Sequence, residues 1–168
     1  MKKLFLLALA LIMTLSLAAC GGETESVSMV DVTSELGISM KLPSDMTIQE
    51  NLAYVNTKTG DSAAFGVAEI GGTPLSAWTE ENVLATYQQI YKDAVVKSFE
   101  NGKQINGMES LVTAVNVTTP KGNSATMTLV MVTDGNKNYV INLTHGSDNK
   151  DSSLVQNLQT CIDSITIK

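Results

Sequence analysis

The fold of this chain is decided by residues 109–145, with the sequence ESLVTAVNVTTPKGNSATMTLVMVTDGNKNYVINLTH. Three extended segments lie within this stretch, at 109–118, 124–133 and 138–145, and short turns containing Gly, Asn and Lys separate them. Successive Val- and Thr-rich segments joined by such turns predict antiparallel strands connected by hairpins. Because the middle segment carries apolar residues at both alternating sets of positions, we expect both faces of this central sheet to be covered.

The chain ahead of this core is predicted to be rich in strands as well. Runs of alternating apolar and polar residues bounded by Gly, Pro, Asn or Asp are typical of strands. Such runs predict strands at 28–33, 38–42, 47–57, 63–70 and 95–99, with a hairpin connection at 58–61 and a turn at 101–103.

Two helices are predicted to pack on the sheet. The first begins at Thr73-Pro74, with threonine as the cap and proline at the first helical position, and its apolar stripe extends to Ala94. The second covers 152–164 and is followed by a short extended tail. These elements predict an α+β fold in which a central antiparallel sheet is flanked by helices.

The start of the chain resembles a bacterial lipoprotein signal. Lys2 and Lys3 precede an apolar stretch at 4–17, and the small residues Ala18 and Ala19 lead directly to Cys20. The apolar stretch is shorter than the roughly 20 residues that a membrane-spanning helix needs. We therefore expect cleavage before Cys20, lipidation of its thiol and anchoring of the mature protein on the extracytoplasmic face of the cell membrane.

These boundaries divide the chain into a signal peptide at 1–19, a lipidated tether at 20–26 and one domain at 27–168. Eleven basic residues, all of them lysine, stand against 17 acidic ones, giving a formal charge of −6 that becomes −8 when Lys2 and Lys3 are removed. Recognition of phosphates and guanine edges relies on arginine. The absence of arginine and the acidic balance therefore argue against nucleic acid as a partner.

Several short motifs lie along the mature chain: GISMKLP at 37–43, NGME at 106–109, Gly135, YVINLT at 139–144 and DSI at 163–165. Together they resemble the PsbP-like superfamily, and its bacterial lipoprotein branch in particular. The resemblance implies a PsbP-like α/β/α sandwich and a function of docking to other proteins, but its motifs are structural and place no contact residue.

Catalytic groups are sparse. His145 is the only histidine and stands beside Ser147 and Asp148, but residues so close in sequence do not easily form a nucleophile, base and acid in line. We predict that His145 is a solvated loop residue. Glu80 and Glu81 fit acids that complement the dipole at a helix start better than a catalytic pair.

No metal site or cofactor is predicted. One histidine and, after lipidation, one cysteine are too few for zinc. Asp134, Asn136 and Asn138 match the first positions of a calcium loop, but Tyr139 replaces its glycine and His145 its glutamate, so a hairpin turn explains them better. A second acidic pair, Asp148 and Asp151, is expected to be solvated rather than to hold a weak cation.

Two further side chains have both a structural and a functional interpretation. Cys161 lies in the apolar stripe of the last helix and is expected to be a buried small hydrophobe rather than a reactive thiol. Trp78 is expected to pack on the sheet and is also the candidate contact for a partner.

Three functions compete at this point. The first is a non-enzymatic module that binds another envelope protein or serves as an accessory subunit, and it requires an exposed apolar or aromatic patch. The second is a lipoprotein that binds a small ligand in a pocket between sheet and helix. The third, a hydrolase, requires a cluster of titratable groups with perturbed pKa values.

Overall fold

The computed structural model describes residues 27–49, 53–69 and 74–168. The predicted signal peptide, Cys20, the tether and Thr73 lie outside these residues. None of the helices within them is long and apolar enough to cross a membrane.

The described residues form ten strands, one 3-10 helix and three short α-helices. The strands are β1 (Met29–Thr33), β2 (Ile38–Pro43), β3 (Thr47–Gln49), β4 (Ala53–Val55), β5 (Ser62–Glu69), β6 (Val95–Ile105), β7 (Met108–Thr118), β8 (Ser124–Thr133), β9 (Lys137–Gly146) and β10 (Thr166–Ile167). The 3-10 helix is Leu75–Ala77, and the α-helices are α1 (Glu80–Gln88), α2 (Ser153–Gln156) and α3 (Leu158–Asp163).

Most strands belong to one antiparallel sheet of seven strands in the order β3-β4-β5-β9-β8-β7-β6. The three segments that decide the fold become β7, β8 and β9, which pair with one another as hairpins. A second, three-stranded sheet has the order β1-β2-β10. It is closed by the tail of the chain, since β10 pairs with β2 through Thr166 and Ser39.

Two apolar cores lie on opposite faces of the large sheet. The helix-side core packs α1 and the 3-10 helix against one face, and includes Tyr87, Leu111, Met127, Leu129 and Met131. The small-sheet-side core packs β1, β2, α2 and α3 against the other face, and includes Met40, Val130, Ile141, Leu143 and Cys161. The prediction that both faces of the central sheet are covered is therefore confirmed.

The layer order differs from a helix-flanked sandwich. Only one face of the large sheet is covered by helices alone, while the other carries a small sheet together with two short helices. The molecule is mostly β-sheet for this reason. The long helix predicted at 152–164 is also wrong, because the chain breaks at Asn157 into α2 and α3.

The first predicted helix is shorter than expected. Pro74 precedes the 3-10 helix, and α1 begins only after Thr79, whose side chain accepts a hydrogen bond from the backbone N–H of Asn82 at 3.3 Å. The helix ends at Gln88, although Tyr91 and Ala94 beyond it are still buried. The apolar spacing therefore indicated burial correctly but overestimated the helix.

Two strand predictions were also wrong. The single extended stretch at 47–57 is two strands, because β3 and β4 pair antiparallel with each other. The turn predicted at 101–103 is an irregularity inside the long strand β6, where the register against β7 shifts between Asn101 and Lys103. Gly102 has a φ of +84° there, a conformation that serves bulges as well as turns.

The turn between β1 and β2 is tied to the C-terminus. Gly37 has a φ of +82°, and its carbonyl accepts a hydrogen bond from the Lys168 backbone N–H at 2.9 Å. A Cβ at Gly37 would lie 2.8 Å from the Lys168 carbonyl oxygen. We expect Gly37→Ala to lower the free energy of unfolding by about 1–3 kcal/mol, measured by urea denaturation, because it adds left-handed strain and this clash.

Gly122→Ala is the matched control for this prediction. Gly122 has a φ of +83°, but a Cβ there would meet nothing within 4 Å. Both variants carry the backbone strain, so the difference between them measures the contact with Lys168. Equal losses of stability in the two variants would contradict the expected clash between a side chain at Gly37 and the Lys168 carbonyl.

Candidate functional site

The most unusual polar group of the described residues is Asp61, which follows the β4–β5 turn. It is 0% exposed, and neither carboxylate oxygen has a hydrogen-bond partner. The hydroxyls of Ser152 and Thr59 lie beside the carboxylate, but neither has the geometry of a hydrogen bond to its oxygens. Burial raises the pKa of Asp61, while these hydroxyls and the nearby His145 oppose that rise.

Asp61 belongs to a polar cluster at one end of the large sheet. The Asp61 cluster, as we name it, joins the loop after β2, the β4–β5 turn, the end of β9 and the start of α2, and consists of Asp45, Asn56, Asp61, His145, Ser152 and Ser153. A buried carboxylate with a perturbed pKa beside a histidine is a common sign of a functional site, although structural networks produce it too.

Half of the cluster forms a clasp around the β3–β4 hairpin. Asp45 lies just before β3 and Asn56 just after β4, and the Asn56 amide donates a hydrogen bond to Asp45 Oδ2 at 2.8 Å. The Ser153 hydroxyl lies 2.9 Å from both oxygens of the same carboxylate. These bonds fix the base of the hairpin to the first turn of α2.

The other half of the cluster does not form a catalytic triad. His145 Nδ1 lies 2.8 Å from the Gly146 carbonyl oxygen, and Ser152 accepts a hydrogen bond from the Val155 backbone N–H as the cap of α2. A triad instead requires the serine to donate to the histidine. The groups therefore serve helix capping and strand anchoring in this arrangement.

The prediction for His145 is wrong, because the residue is only 9% exposed and belongs to β9. Its side chain alternates toward the face that β2 and α2 cover, so the neighbouring elements bury it. Ser147 lies near Thr126, with hydroxyl oxygens 3.3 Å apart, and takes no part in a triad. Asp148 is exposed, as the sequence predicted.

The turn at Asp134 is confirmed as a hairpin connection. Asp134 Oδ1 accepts hydrogen bonds from the backbone N–H groups of Asn136 and Lys137 at 2.8 Å each, and Oδ2 accepts one from the Tyr139 hydroxyl at 3.0 Å. The backbone bonds are the main reason that the pKa of Asp134 is lowered. Within the part of the chain that the structure describes, no three His, Cys, Asp or Glu side chains cluster as metal ligands.

Cys161 is fully buried in the small-sheet-side core, as predicted. Burial raises the pKa of its thiol to about 12, which keeps the sulfur protonated and unreactive near neutral pH. Trp78 is half-buried and packs against the helix-side core. Its carbonyl oxygen accepts a hydrogen bond from the Asn101 amide at 2.9 Å, and its role as a partner contact stays a prediction.

A second set of buried polar groups lies on the opposite face of the sheet. The β9 polar row consists of Asn138, Asn142 and Thr144, which lie on the same face of β9 as Val140 of the helix-side core, and each has a buried side-chain oxygen without a hydrogen-bond partner. From α1, the hydroxyl of Tyr87 is unpaired as well. Sequence analysis missed this row because alternating Asn and Thr in a strand also suits a solvent-facing side.

Few large apolar side chains are exposed among the described residues. They are Val30 in β1, Ile48 in β3 and Val95 in β6, exposed by 38%, 60% and 56%. β3 and β6 are opposite edges of the large sheet, and β1 belongs to the small sheet. The exposed apolar groups therefore lie on strand edges, not in one broad patch.

Comparison with known proteins supports the fold. The solution structure of cyanobacterial PsbP (CyanoP) from Synechocystis sp. PCC 6803 superimposes with a TM-score of 0.63 at 13% sequence identity, covering 90% of this chain and 99% of that one. A protein of unknown function from Pseudomonas aeruginosa, PA94, described as a putative regulator, gives a TM-score of 0.55 at 10% identity over 83% of this chain and 97% of its own.

The chain therefore has a PsbP-like fold, as the sequence motifs implied. No family model matches the sequence, and no curated protein matches it. At these identities the likeness concerns the fold alone.

Proposed function

We propose that this chain is a lipid-anchored, extracytoplasmic, non-enzymatic protein that binds another protein of the cell envelope or serves as its accessory subunit. The observation that carries the proposal is that the side chains best suited to catalysis are buried. Asp61, His145 and Cys161 are all buried, and the bonds of the Asp61 cluster hold strands and helix together. Catalysis needs groups that a substrate can reach.

The charge of the chain also favours a protein partner over nucleic acid or lipid. Without arginine and with an excess of acidic residues, the surface would be repelled by an anionic membrane. A short tether behind Cys20 would keep the domain within a few nanometres of the membrane. An acidic domain held at that distance suits contact with the extracytoplasmic part of a neighbouring protein.

Affinity capture from membranes solubilised in a neutral detergent tests this proposal. The tagged protein keeps its native signal and anchor, and the recovered proteins are quantified by mass spectrometry. We expect one envelope protein at a fixed molar ratio to the bait. Recovery of the bait alone, from membranes in which it is abundant, would contradict the proposal.

The β9 polar row favours binding of a small ligand as a second candidate function. Unpaired buried oxygens cost free energy, about 1–3 kcal/mol each, unless something hydrogen-bonds to them. A ligand seated against this face of the sheet would meet the unpaired oxygens of Asn142 and Thr144, and the unpaired Tyr87 hydroxyl belongs to the same helix-side core. Native mass spectrometry of the freshly purified protein tests this candidate. A bound compound would appear as a discrete mass increment, and Tyr87→Phe would lower the fraction of protein molecules that carry it.

A further inference from the structure

The two edges of the large sheet differ in how they are protected. The β6 edge has two register shifts, and the exposed side chains of Lys97 and Lys103 lie along it. Bulges, lysines and very short strands are means by which proteins keep another strand from pairing with an edge. β3, at the other edge, has the sequence Thr47-Ile48-Gln49, with neither a charge nor a bulge, so that its length of three residues is the only one of these means it has.

An apolar strip continues inward from the β3 edge. Ile48 is paired with Tyr54 of β4, and the Tyr54 ring meets the Phe65 ring of β5 edge to face, with centroids 6.0 Å apart. Both rings are only partly buried against the small-sheet-side core. A strand added outside β3 would find unpaired backbone groups along its length and apolar side chains on this face.

We propose that β3 is a docking edge at which an extended, lysine- or arginine-containing segment of a partner protein adds as a further strand. This inference rests on the proposed function and specifies the surface and the partner. The clasp of Asp45, Asn56 and Ser153 holds the base of the β3–β4 hairpin, so the edge is fixed before the partner arrives. Such preorganisation lowers the ordering cost of binding.

The positive charge of the partner follows from the charge of the chain. The formal net charge is −6, and Asp45 is exposed just before β3. A second copy of the chain would bring the same acidic charge to the edge and be repelled. A cationic strand would be attracted, and its apolar side chains would cover Ile48.

The test uses the full acylated protein in neutral detergent micelles and three fluorescent peptides. The first peptide alternates lysine and valine over seven residues, the second has proline in place of its central valine, and the third has glutamate in place of lysine. Binding is measured by anisotropy. We expect only the first to bind well, because proline removes a backbone donor and glutamate reverses the charge.

Two variants with the same added charge locate the site. Ile48 and Val95 are exposed by 60% and 56% on opposite edges, so Ile48→Lys and Val95→Lys should both remain folded. We expect Ile48→Lys to weaken binding of the first peptide at least about tenfold, and Val95→Lys to weaken it less than about twofold. Circular dichroism of both variants confirms that the fold is retained.

Any other outcome would contradict the proposed docking edge. Equal binding of the first two peptides would indicate charge attraction without strand pairing, and equal effects of the two variants would place the site elsewhere. A dimer that Ile48→Lys dissociates would make a second copy the occupant. If membrane capture recovers a stoichiometric partner while the first peptide fails to bind, the docking edge fails and the proposed function stands; if both fail, the proposed function fails too.

Discussion

Replacing Cys20 with serine is expected to move the protein from the membrane fraction to the soluble fraction almost completely. The thiol of Cys20 is the predicted site of lipidation, and serine offers no sulfur for the thioether bond. Each buried methylene contributes about 0.8 kcal/mol to membrane binding, so the loss of two or three acyl chains removes the anchor. Fractionation after metabolic labelling with a fatty acid measures both the label and the location.

Cys161→Ala is the control for this experiment. Cys161 is the other cysteine of the chain, and it is fully buried, so a lipid cannot reach it in the folded protein. The variant should keep its label and stay with the membrane, at some cost in stability from the small cavity. If Cys20→Ser remains membrane-bound and labelled, the lipoprotein interpretation is wrong, and the localisation that the proposed function assumes is wrong with it.

The strands of the fold were predictable because their signals are local. Alternating apolar residues and Gly- or Asn-containing turns placed β7, β8 and β9 correctly. The failures occurred where a local signal had two meanings. Gly102 marks a bulge in β6 instead of a turn, and Asn157 divides the last helix although the apolar spacing continues across it.

The Asp61 cluster shows why the buried polar groups were missed. In the sequence, Asp61 ends a polar hairpin connection, where aspartate is ordinary. It becomes unusual only because Ser152 and His145 return to the same place from much later in the chain. Pairings over such distances leave no local pattern, so burial of the carboxylate had to be observed in the structure.

The proposed docking edge could not be predicted from the sequence either. Sequence analysis expected an exposed apolar patch and named Trp78 as the candidate contact, whereas the described surface presents separate apolar residues on strand edges. Which edge is open depends on sheet order and register, neither of which follows from alternation alone. The contrast between β3 and β6 therefore became visible only when the strands were placed side by side.

Asp61→Asn is expected to make the protein more stable at neutral pH, by about 1–3 kcal/mol, because a neutral amide costs less to bury without hydrogen-bond partners than an ionised carboxylate does. Burial raises the pKa of Asp61 in the folded protein above its ordinary value of 3.8. The contribution of the protonated Asp61 carboxyl to the free energy of unfolding is therefore fully present below about pH 4. It is lost as the pH rises through the pKa of Asp61 in the folded protein. The amide cannot ionise, so the variant avoids that loss.

The measurement is a series of urea denaturations between pH 3 and pH 8 on both proteins. The difference in the free energy of unfolding between variant and wild type should be near zero at the acidic end and grow as the pH rises.

Asp93→Asn is the matched control. A hydrogen bond with Thr118 lowers the pKa of this exposed carboxylate, so its contribution to stability is present at neutral pH and lost on acidification. The control should therefore be less stable than wild type at neutral pH, the opposite sign. A loss of stability in Asp61→Asn at pH 7 would mean that Ser152, Thr59 and His145 stabilise an ionised Asp61, and that its pKa is not raised in the folded protein.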